Sequence, residues 1–202
     1  MQFYAADSPF HNERLSGIII AMRKTLLLLL LSSLFFSSCK GKEETNPPEA
    51  ERYDNVPSVG KDATDFVFSD IDGALFRMSE EKGKVTILFF WRLKCKECVE
   101  SMASLNSLHL RYKDKGVNVL VVDEDSMHSA SIYKIRDFVK ENNYTFRVLR
   151  DEDGFVAEAY KVIYAPRAFI VGKNGKIAAI VDGKTDWIGE DKIKLVEGLL
   201  KK

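Results

Sequence analysis

The sequence predicts an α/β fold in which a sheet lies between layers of helices. Two apolar runs, residues 85–91 and 117–122, lack the alternation of a half-exposed strand, so we interpret them as strands buried on both faces. Segments with the apolar spacing of helices separate the predicted strands, and the order closes with a hairpin and an amphipathic helix. This alternation is typical of a sheet covered by helices.

The first predicted elements are a hairpin and a buried strand. Residues 66–68 and 74–76 have the composition of strands and flank Asp72-Gly73, which is a strong turn signal. Gly83-Lys84 then leads into the apolar strand at residues 85–91. The hairpin therefore precedes the first strand of the main sheet.

The middle of the chain alternates helices and strands. The helix after the first buried strand is expected to end near Gly116, directly before the strand at residues 117–122. Apolar residues three and four positions apart predict a second helix over residues 132–139. Residues 145–149 are interpreted as a short strand, and residues 155–160 as a short helix.

The C-terminal part is predicted to complete one domain. A second hairpin is predicted over residues 168–171 and 177–181, with Asn174-Gly175 in its turn. An amphipathic helix follows over residues 193–200. The chain has 202 residues, of which 46% are hydrophobic, and this suffices for one domain with its own core. We place that domain at residues 59–202.

The N-terminal region predicts export and a lipid anchor. Arg23-Lys24 and the apolar run at residues 25–36 form the two parts of an export signal, and the run falls short of the ~20 residues that span a bilayer. Ser37-Ser38 before Cys39 resembles the lipobox of bacterial lipoproteins, in which the cysteine becomes the lipid-modified N-terminus. Residues 1–38 are therefore the predicted signal region, with a plain cleaved signal or an uncleaved anchor as alternatives.

Two further predictions concern this region. Asp7 and Glu13 lie where a short basic segment should precede the signal, so Met22 is the expected translation start. Residues 39–58 contain few apolar side chains and include Asn46-Pro47-Pro48. This composition predicts a flexible tether that begins at the lipidated cysteine.

Cys95 and Cys98 are a predicted redox dithiol. They follow the strand at residues 85–91 and open the next helix, where unpaired amides and the macrodipole favour a thiolate. Cys95 lies at the first turn and is the expected nucleophile. An inert structural disulfide is the alternative. A zinc site is disfavoured because His109 and His128 have no second cysteine pair to join.

The charge balance disfavours one class of partner. The chain carries 30 Lys and Arg residues against 30 Asp and Glu residues, so its formal net charge is +0 at pH 7. Nucleic acids attract proteins through an excess of basic charge, and nothing in this total indicates such an excess. We therefore predict no nucleic-acid partner, and we also predict no cofactor and no metal site.

The chain resembles the thioredoxin-fold family, and within it the membrane-tethered thiol-disulfide oxidoreductases of the TlpA and ResA kind. The resemblance covers residues 59–202 and implies a three-layer sandwich: a central mixed sheet, helices on both faces, an N-terminal hairpin and an inserted helix within residues 125–145. The motifs that carry it are Gly83-Lys84, Trp91, Cys95-Lys96-Glu97-Cys98, Asp123, the turn at residues 151–154, Ala165-Pro166 and the hairpin turn at residues 173–176.

The resemblance implies roles for individual residues. Cys95 is the attacking nucleophile and Cys98 the resolving cysteine of a redox-active disulfide. Pro166 is cis and faces the dithiol, and the backbone of Ala165 pairs with the substrate chain. Further predicted substrate-binding residues are Trp91, Lys94 and Arg167. For Trp91, core packing is the alternative.

The implied function is a lipid-anchored reductase of client protein disulfides, with its domain in the periplasm or another extracytoplasmic space. In the family, a thiol protein of the membrane supplies electrons, and cytochrome c apoproteins are suggested clients. Two alternatives stay open. One is a non-catalytic thioredoxin-like binding lipoprotein with a structural disulfide. The other is a thiol peroxidase, which is disfavoured because Arg92 stands where such peroxidases carry Thr.

The sequence departs from the family at the positions of its proton carriers. Thioredoxins place a buried Asp where this chain has Phe89, and ResA-like proteins place a Glu where it has Ser101. Glu97 or Glu100 could substitute, although Glu100 is turned about 100° around the helix from Ser101. The absence of these acids favours the binding alternative and leaves the proton carrier unassigned.

Overall fold

The computed structural model describes residues 56–202, so the predicted signal region, Met22, Cys39 and residues 39–55 of the tether lie outside it. The strands in this range are β1 Val67–Ser69, β2 Leu75–Arg77, β3 Val85–Trp91, β4 Val117–Asp123, β5 Arg147–Arg150, β6 Arg167–Val171 and β7 Ile177–Asp182. The helices are α1 Lys96–Tyr112, α2 Ile132–Glu141, α3 Phe155–Ala159 and α4 Glu190–Leu200. Within residues 56–202, no helix combines the length and apolar character that a bilayer crossing requires.

Five strands of this part of the chain form one mixed sheet in the order β5-β4-β3-β6-β7. β3 pairs in parallel with β4, and β4 in parallel with β5, whereas β6 runs antiparallel to both β3 and β7. β1 and β2 form a separate antiparallel hairpin, and α2 is inserted between β4 and β5. These features confirm the predicted thioredoxin-like α/β fold.

β3 is the central strand, and each of its residues is buried. Its side chains alternate between two core clusters. Ile87, Phe89 and Trp91 pack with α1, α2 and α4 on one face of the sheet. Leu88 and Phe90 pack with the hairpin and α3 on the other face. Because both faces are covered, the strand is apolar at every position except Thr86, which is the pattern that the sequence showed.

Most predicted elements have nearly the observed bounds, and the differences have local causes. β5 begins at Arg147 rather than at residue 145, because the Thr145 amide instead donates to the side chain of Asn106. A short 3-10 turn over Met78–Glu81 is not signalled by the sequence pattern. The prediction of a helix end near Gly116 agrees with its φ of 89°, a left-handed conformation that glycine adopts readily.

The topology brings two loops together at one edge of the sheet. The parallel strands β3, β4 and β5 end at this edge, and the antiparallel strand β6 begins there. The chain that leaves β3 carries the cysteine pair into α1, and the chain that enters β6 carries Ala165 and Pro166. The fold therefore places the cysteine pair beside this proline.

Candidate active site

Cys95 and Cys98 lie at the N-terminal end of α1. Cys95 is the N-cap residue, and its Sγ accepts a hydrogen bond from the Cys98 amide at 3.2 Å. The two residues form a disulfide, with their Cα atoms 5.2 Å apart. Cys95 is partly exposed, whereas Cys98 is fully buried. A thiolate from outside therefore reaches Cys95 first, and after reduction the helix amides favour a thiolate at the same sulfur.

The loop before β6 packs against this disulfide. The peptide bond between Ala165 and Pro166 is cis, and the Ala165 carbonyl oxygen lies 3.7 Å from Cys95 Sγ. Pro166 is buried, and its carbonyl accepts a hydrogen bond from the Gly183 amide at 2.9 Å. Ala165 is partly exposed. The structure thus brings the dithiol, Ala165 and Pro166 into one site.

Two predicted substrate-binding residues, Trp91 and Lys94, precede the first cysteine but differ in exposure. Lys94 is exposed on the turn directly before Cys95, so its ammonium lies on the rim of the site. Trp91 is fully buried, and its ring stacks on Phe138 with the centroids 5.3 Å apart. A fully buried ring offers no surface to a substrate chain, so the structure places Trp91 in the core.

Arg167, the third such residue, is directed away from the dithiol. Its guanidinium lies 5.4 Å from the ring centroid of Tyr164 and 5.5 Å from that of Phe169, and its Nε is 3.3 Å from Asp182 Oδ1. Phe169 belongs to the core cluster on the sheet face opposite α1. The side chain of Arg167 therefore organises the outer part of the β6 loop rather than the surface beside the disulfide.

Phe89 and Ser101 stand where thioredoxins and ResA-like proteins carry an acid, and both side chains have structural contacts in this chain. Phe89 packs edge-on against Trp187, with the ring centroids 6.1 Å apart. Ser101 is fully buried; its Oγ donates to the Glu97 carbonyl at 2.9 Å and accepts from the Thr185 amide at 3.0 Å. Ser101 thus fastens α1, and Phe89 fastens β3, to the loop that precedes α4.

Glu100 is poorly suited to replace the proton carrier. Lys184 Nζ lies 2.7 Å from its carboxylate, and Lys96 Nζ lies 3.8 Å from it. The hydrogen bond from Lys184 holds the pKa of the Glu100 carboxyl below its usual range. A carboxyl with a lowered pKa is ionised at neutral pH and carries no proton to transfer. Glu97, the other candidate for the proton carrier, is exposed on the first turn of α1.

Residues 123–125, which we call the acidic segment, contact the active-site turn, a role that sequence reasoning did not assign, although Asp123 is one of the family motifs. They end β4 beside the turn that carries the first cysteine, because β3 and β4 are parallel and in register. Arg92 Nη2 pairs with Glu124 Oε2 at 2.9 Å, and the Leu93 amide donates to Asp125 Oδ2 at 2.6 Å. The available signal was three consecutive acids at the end of a buried strand.

Burial shapes the electrostatics of the acidic segment. Asp123 is fully buried and binds the Arg150 guanidinium, which also donates to the Ala130 carbonyl at 2.7 Å. Burial raises the pKa of Asp123 to about 7, against the opposing effect of Arg150. Burial likewise raises the pKa of Glu124, against the effect of Arg92. Within residues 56–202, no group of three or more His, Cys, Asp or Glu side chains is arranged to hold a metal ion.

The sequence matches a known protein family over most of the folded part. The model of the AhpC/TSA family matches residues 59–180. The chain belongs to the AhpC/TSA family. It is 34% identical over 126 residues to the thiol-disulfide oxidoreductase ResA of Bacillus thuringiensis subsp. konkukian (strain 97-27), covering 62% of this chain and 70% of that protein. It is 33% identical over 144 residues to ResA of Bacillus anthracis, covering 71% of this chain and 78% of that protein.

The fold is also similar to that of a solved structure. The crystal structure of a Chlorobium tepidum protein, provisionally assigned as thiol:disulfide interchange protein DsbE, superposes with a TM-score of 0.64 at 26% identity. The match covers 71% of this chain and 99% of that one. The predicted resemblance to ResA and the predicted enzyme class, thiol-disulfide oxidoreductase, are confirmed by these comparisons.

Proposed function

We propose that this protein is a lipid-anchored oxidoreductase of the bacterial cell envelope that reduces disulfides in client proteins. The geometry at Cys95 carries the proposal: its Sγ lies at the N-terminus of α1, 3.2 Å from the Cys98 amide and 3.7 Å from the Ala165 carbonyl oxygen. A partly exposed sulfur with a buried partner one helical turn away suits a two-step exchange.

The exchange starts from the reduced pair. The Cys95 thiolate attacks one sulfur of a client disulfide; the bond between Cys95 and the client forms as the client S–S bond breaks, and the second client sulfur leaves as a thiolate. The Cys98 thiolate then attacks Cys95 Sγ, which closes the internal disulfide and releases the first client sulfur. Two electrons pass to the client, and the protein is left in the disulfide form seen in the structure.

The proposed client contacts lie around the first cysteine. A client strand pairs with the backbone of Ala165, as a chain adds to an exposed strand edge, and this places the client disulfide over Cys95. Pro166 holds that backbone, since its carbonyl is bound by Gly183. The exposed ammonium of Lys94 adds positive charge to the rim.

The proposed location and partners follow from the N-terminal region of the sequence. Cys39 carries the lipid, and residues 39–58 tether the domain so that it faces the periplasm or another extracytoplasmic space. A thiol protein of the membrane returns two electrons to the Cys95–Cys98 disulfide after each cycle. Disulfide-bonded apoproteins of c-type cytochromes are the proposed clients.

Trapping with Cys98→Ala tests this proposal. The variant keeps the attacking sulfur but cannot resolve a mixed disulfide, so covalent adducts with envelope proteins are expected to accumulate in cells. Non-reducing electrophoresis separates the adducts, and mass spectrometry identifies the attached clients. Cys95→Ala in the same background is the matched control and is expected to form none. If the two variants give the same adducts, the proposal is wrong.

The reduction potential tests the direction of electron flow. A protein reductase resembles thioredoxin at about −270 mV, whereas the oxidant DsbA lies at about −120 mV. We expect titration of the Cys95–Cys98 pair against a glutathione buffer to give a value near that of thioredoxin. A value near that of DsbA would contradict the reducing direction while leaving the exchange chemistry in place.

A further inference from the structure

The turn that presents Cys95 is held by groups outside the turn. The Cys95 amide donates to the Arg92 carbonyl at 3.0 Å and closes the turn between β3 and α1. Inside it, the Leu93 amide donates to Asp125 Oδ2 at 2.6 Å, and Arg92 pairs with Glu124 at 2.9 Å. Two residues of the acidic segment therefore contact the chain immediately ahead of the first cysteine.

Asp125 is the more firmly held of these two residues. It is 2% exposed, its Oδ1 accepts from Ser129 Oγ at 2.7 Å, and its amide donates to Asp123 Oδ1 at 3.2 Å. Asp123 is held in turn by Arg150. The ion pair of Glu124 has an exposed partner, and such pairs contribute little. A hydrogen bond from a backbone amide to a buried carboxylate is short and strong.

We propose that Asp125 is a positioning residue for Cys95, acting through the Leu93 amide. The proposal rests on the proposed function, in which Cys95 attacks a client chain paired with Ala165. The sulfur must then hold its place against Ala165, and a displacement of about 1 Å costs on the order of a hundredfold in rate. Asp125 anchors the turn to the end of β4, since its other contacts are to Asp123, the last residue of that strand, and to Ser129 just beyond it.

Three substitutions separate the hydrogen bond from the charge. Asp125→Asn keeps an oxygen that accepts the Leu93 amide, Asp125→Glu keeps the charge but moves the oxygens by one methylene, and Asp125→Ala removes both. With insulin as the peptide disulfide, we expect Asp125→Ala and Asp125→Glu to lower kcat/KM by roughly 10- to 100-fold, and Asp125→Asn to stay within about threefold of wild type.

A second probe and a control variant exclude a general loss of structure. DTNB is a small disulfide that does not pair with a client-binding backbone, so its reaction with Cys95 is expected to change by less than about threefold in all three variants. Ser107→Ala removes an exposed hydroxyl that donates to the Ala103 carbonyl within α1, away from the acidic segment, and is expected to leave insulin reduction near wild type. If Asp125→Ala does not fold, the comparison of Asp125→Asn with Asp125→Glu still tests whether Asp125 positions Cys95.

Hydrogen exchange of the Leu93 amide, measured by NMR, gives a readout that needs no client. We expect it to accelerate in Asp125→Glu and to stay protected in Asp125→Asn. Unchanged insulin kinetics in Asp125→Glu, or equal losses in Asp125→Asn and Asp125→Glu, would overturn the positioning role. If instead wild-type insulin reduction does not depend on Cys95, the proposed function fails, and the Leu93 exchange still reports whether Asp125 fixes the turn.

Discussion

Replacing Cys95 with alanine is expected to lower the rate of insulin disulfide reduction by roughly a thousandfold or more, to the rate of the reductant alone. Cys95 is the sulfur that a client reaches, because it is partly exposed at the N-cap while Cys98 is fully buried. The remaining thiol in the variant lacks both the access and the Cys98 amide that lies 3.2 Å from Cys95 Sγ. Turnover with excess dithiothreitol measures the effect.

Cys98→Ala is the matched control, because it removes the partner sulfur and keeps the nucleophile. We expect it to form close to one equivalent of mixed disulfide with insulin in the first turnover and then to stall. Rapid quenching by acid and separation on non-reducing gels distinguishes the two variants. Adducts that form on Cys98 in the Cys95→Ala variant would reverse the assigned roles of nucleophile and resolving cysteine.

Much of this site could be predicted from the sequence because its signals are local. The strand that ends at Trp91 is a run of apolar residues interrupted only by Thr86, and the cysteine pair begins four residues after it. A helix start after a strand is a short-range pattern, so the N-cap position of Cys95 needs no long-range information. Resemblance to a family supplied the rest, including the cis bond before Pro166.

The contact of the acidic segment with the turn before Cys95 could not be predicted, because it depends on the long-range pairing of β3 with β4. Asp125 meets Leu93 only because β3 and β4 pair in parallel with Trp91 opposite Asp123. A shift of one residue in that pairing would move the carboxylate of Asp125 along the strand direction, away from the Leu93 amide. Strand alternation directs the side chain of Arg167 to the face of Phe169, away from α1.

Arg150→Ala is expected to lower the free energy of unfolding by about 3–5 kcal/mol at slightly alkaline pH. The side chain of Arg150 is 8% exposed, and its guanidinium binds the fully buried carboxylate of Asp123. Removing one partner of a buried ion pair leaves the other as an uncompensated charge. The variant also loses the hydrogen bond to the Ala130 carbonyl. Urea unfolding monitored by tryptophan fluorescence measures the difference.

Glu152→Ala provides the matched control at the same arginine. Its carboxylate lies 3.6 Å from Arg150 Nε, but the side chain is 39% exposed. Exposed ion pairs contribute between zero and about 1 kcal/mol, so the free energy of unfolding of this variant is expected to be close to that of wild type. A loss as large as that of Arg150→Ala would assign the stabilisation to Glu152 instead of Asp123.

The loss of unfolding free energy in Arg150→Ala is also expected to depend on pH and to be smaller in acid. Burial raises the pKa of Asp123 from 3.8 to about 7, so the folded protein binds this proton more tightly than the unfolded chain does. The stability that this group contributes is therefore complete below about pH 4 and is lost as the pH rises to about 7. Arg150 opposes the raised pKa, and its removal extends that loss to higher pH.

Near pH 5 the carboxyl of Asp123 is protonated in the folded state of both proteins, and a neutral acid does not require the guanidinium. The difference in unfolding free energy between Arg150→Ala and wild type should then shrink to about 1–2 kcal/mol. This remainder is the contribution of lost packing and of one hydrogen bond. The free energy of unfolding of Asp123→Asn should depend less steeply on pH than that of wild type over the same range. A difference that stays constant from about pH 5 to about pH 8 would mean that Asp123 is ionised throughout and that Arg150 outweighs burial.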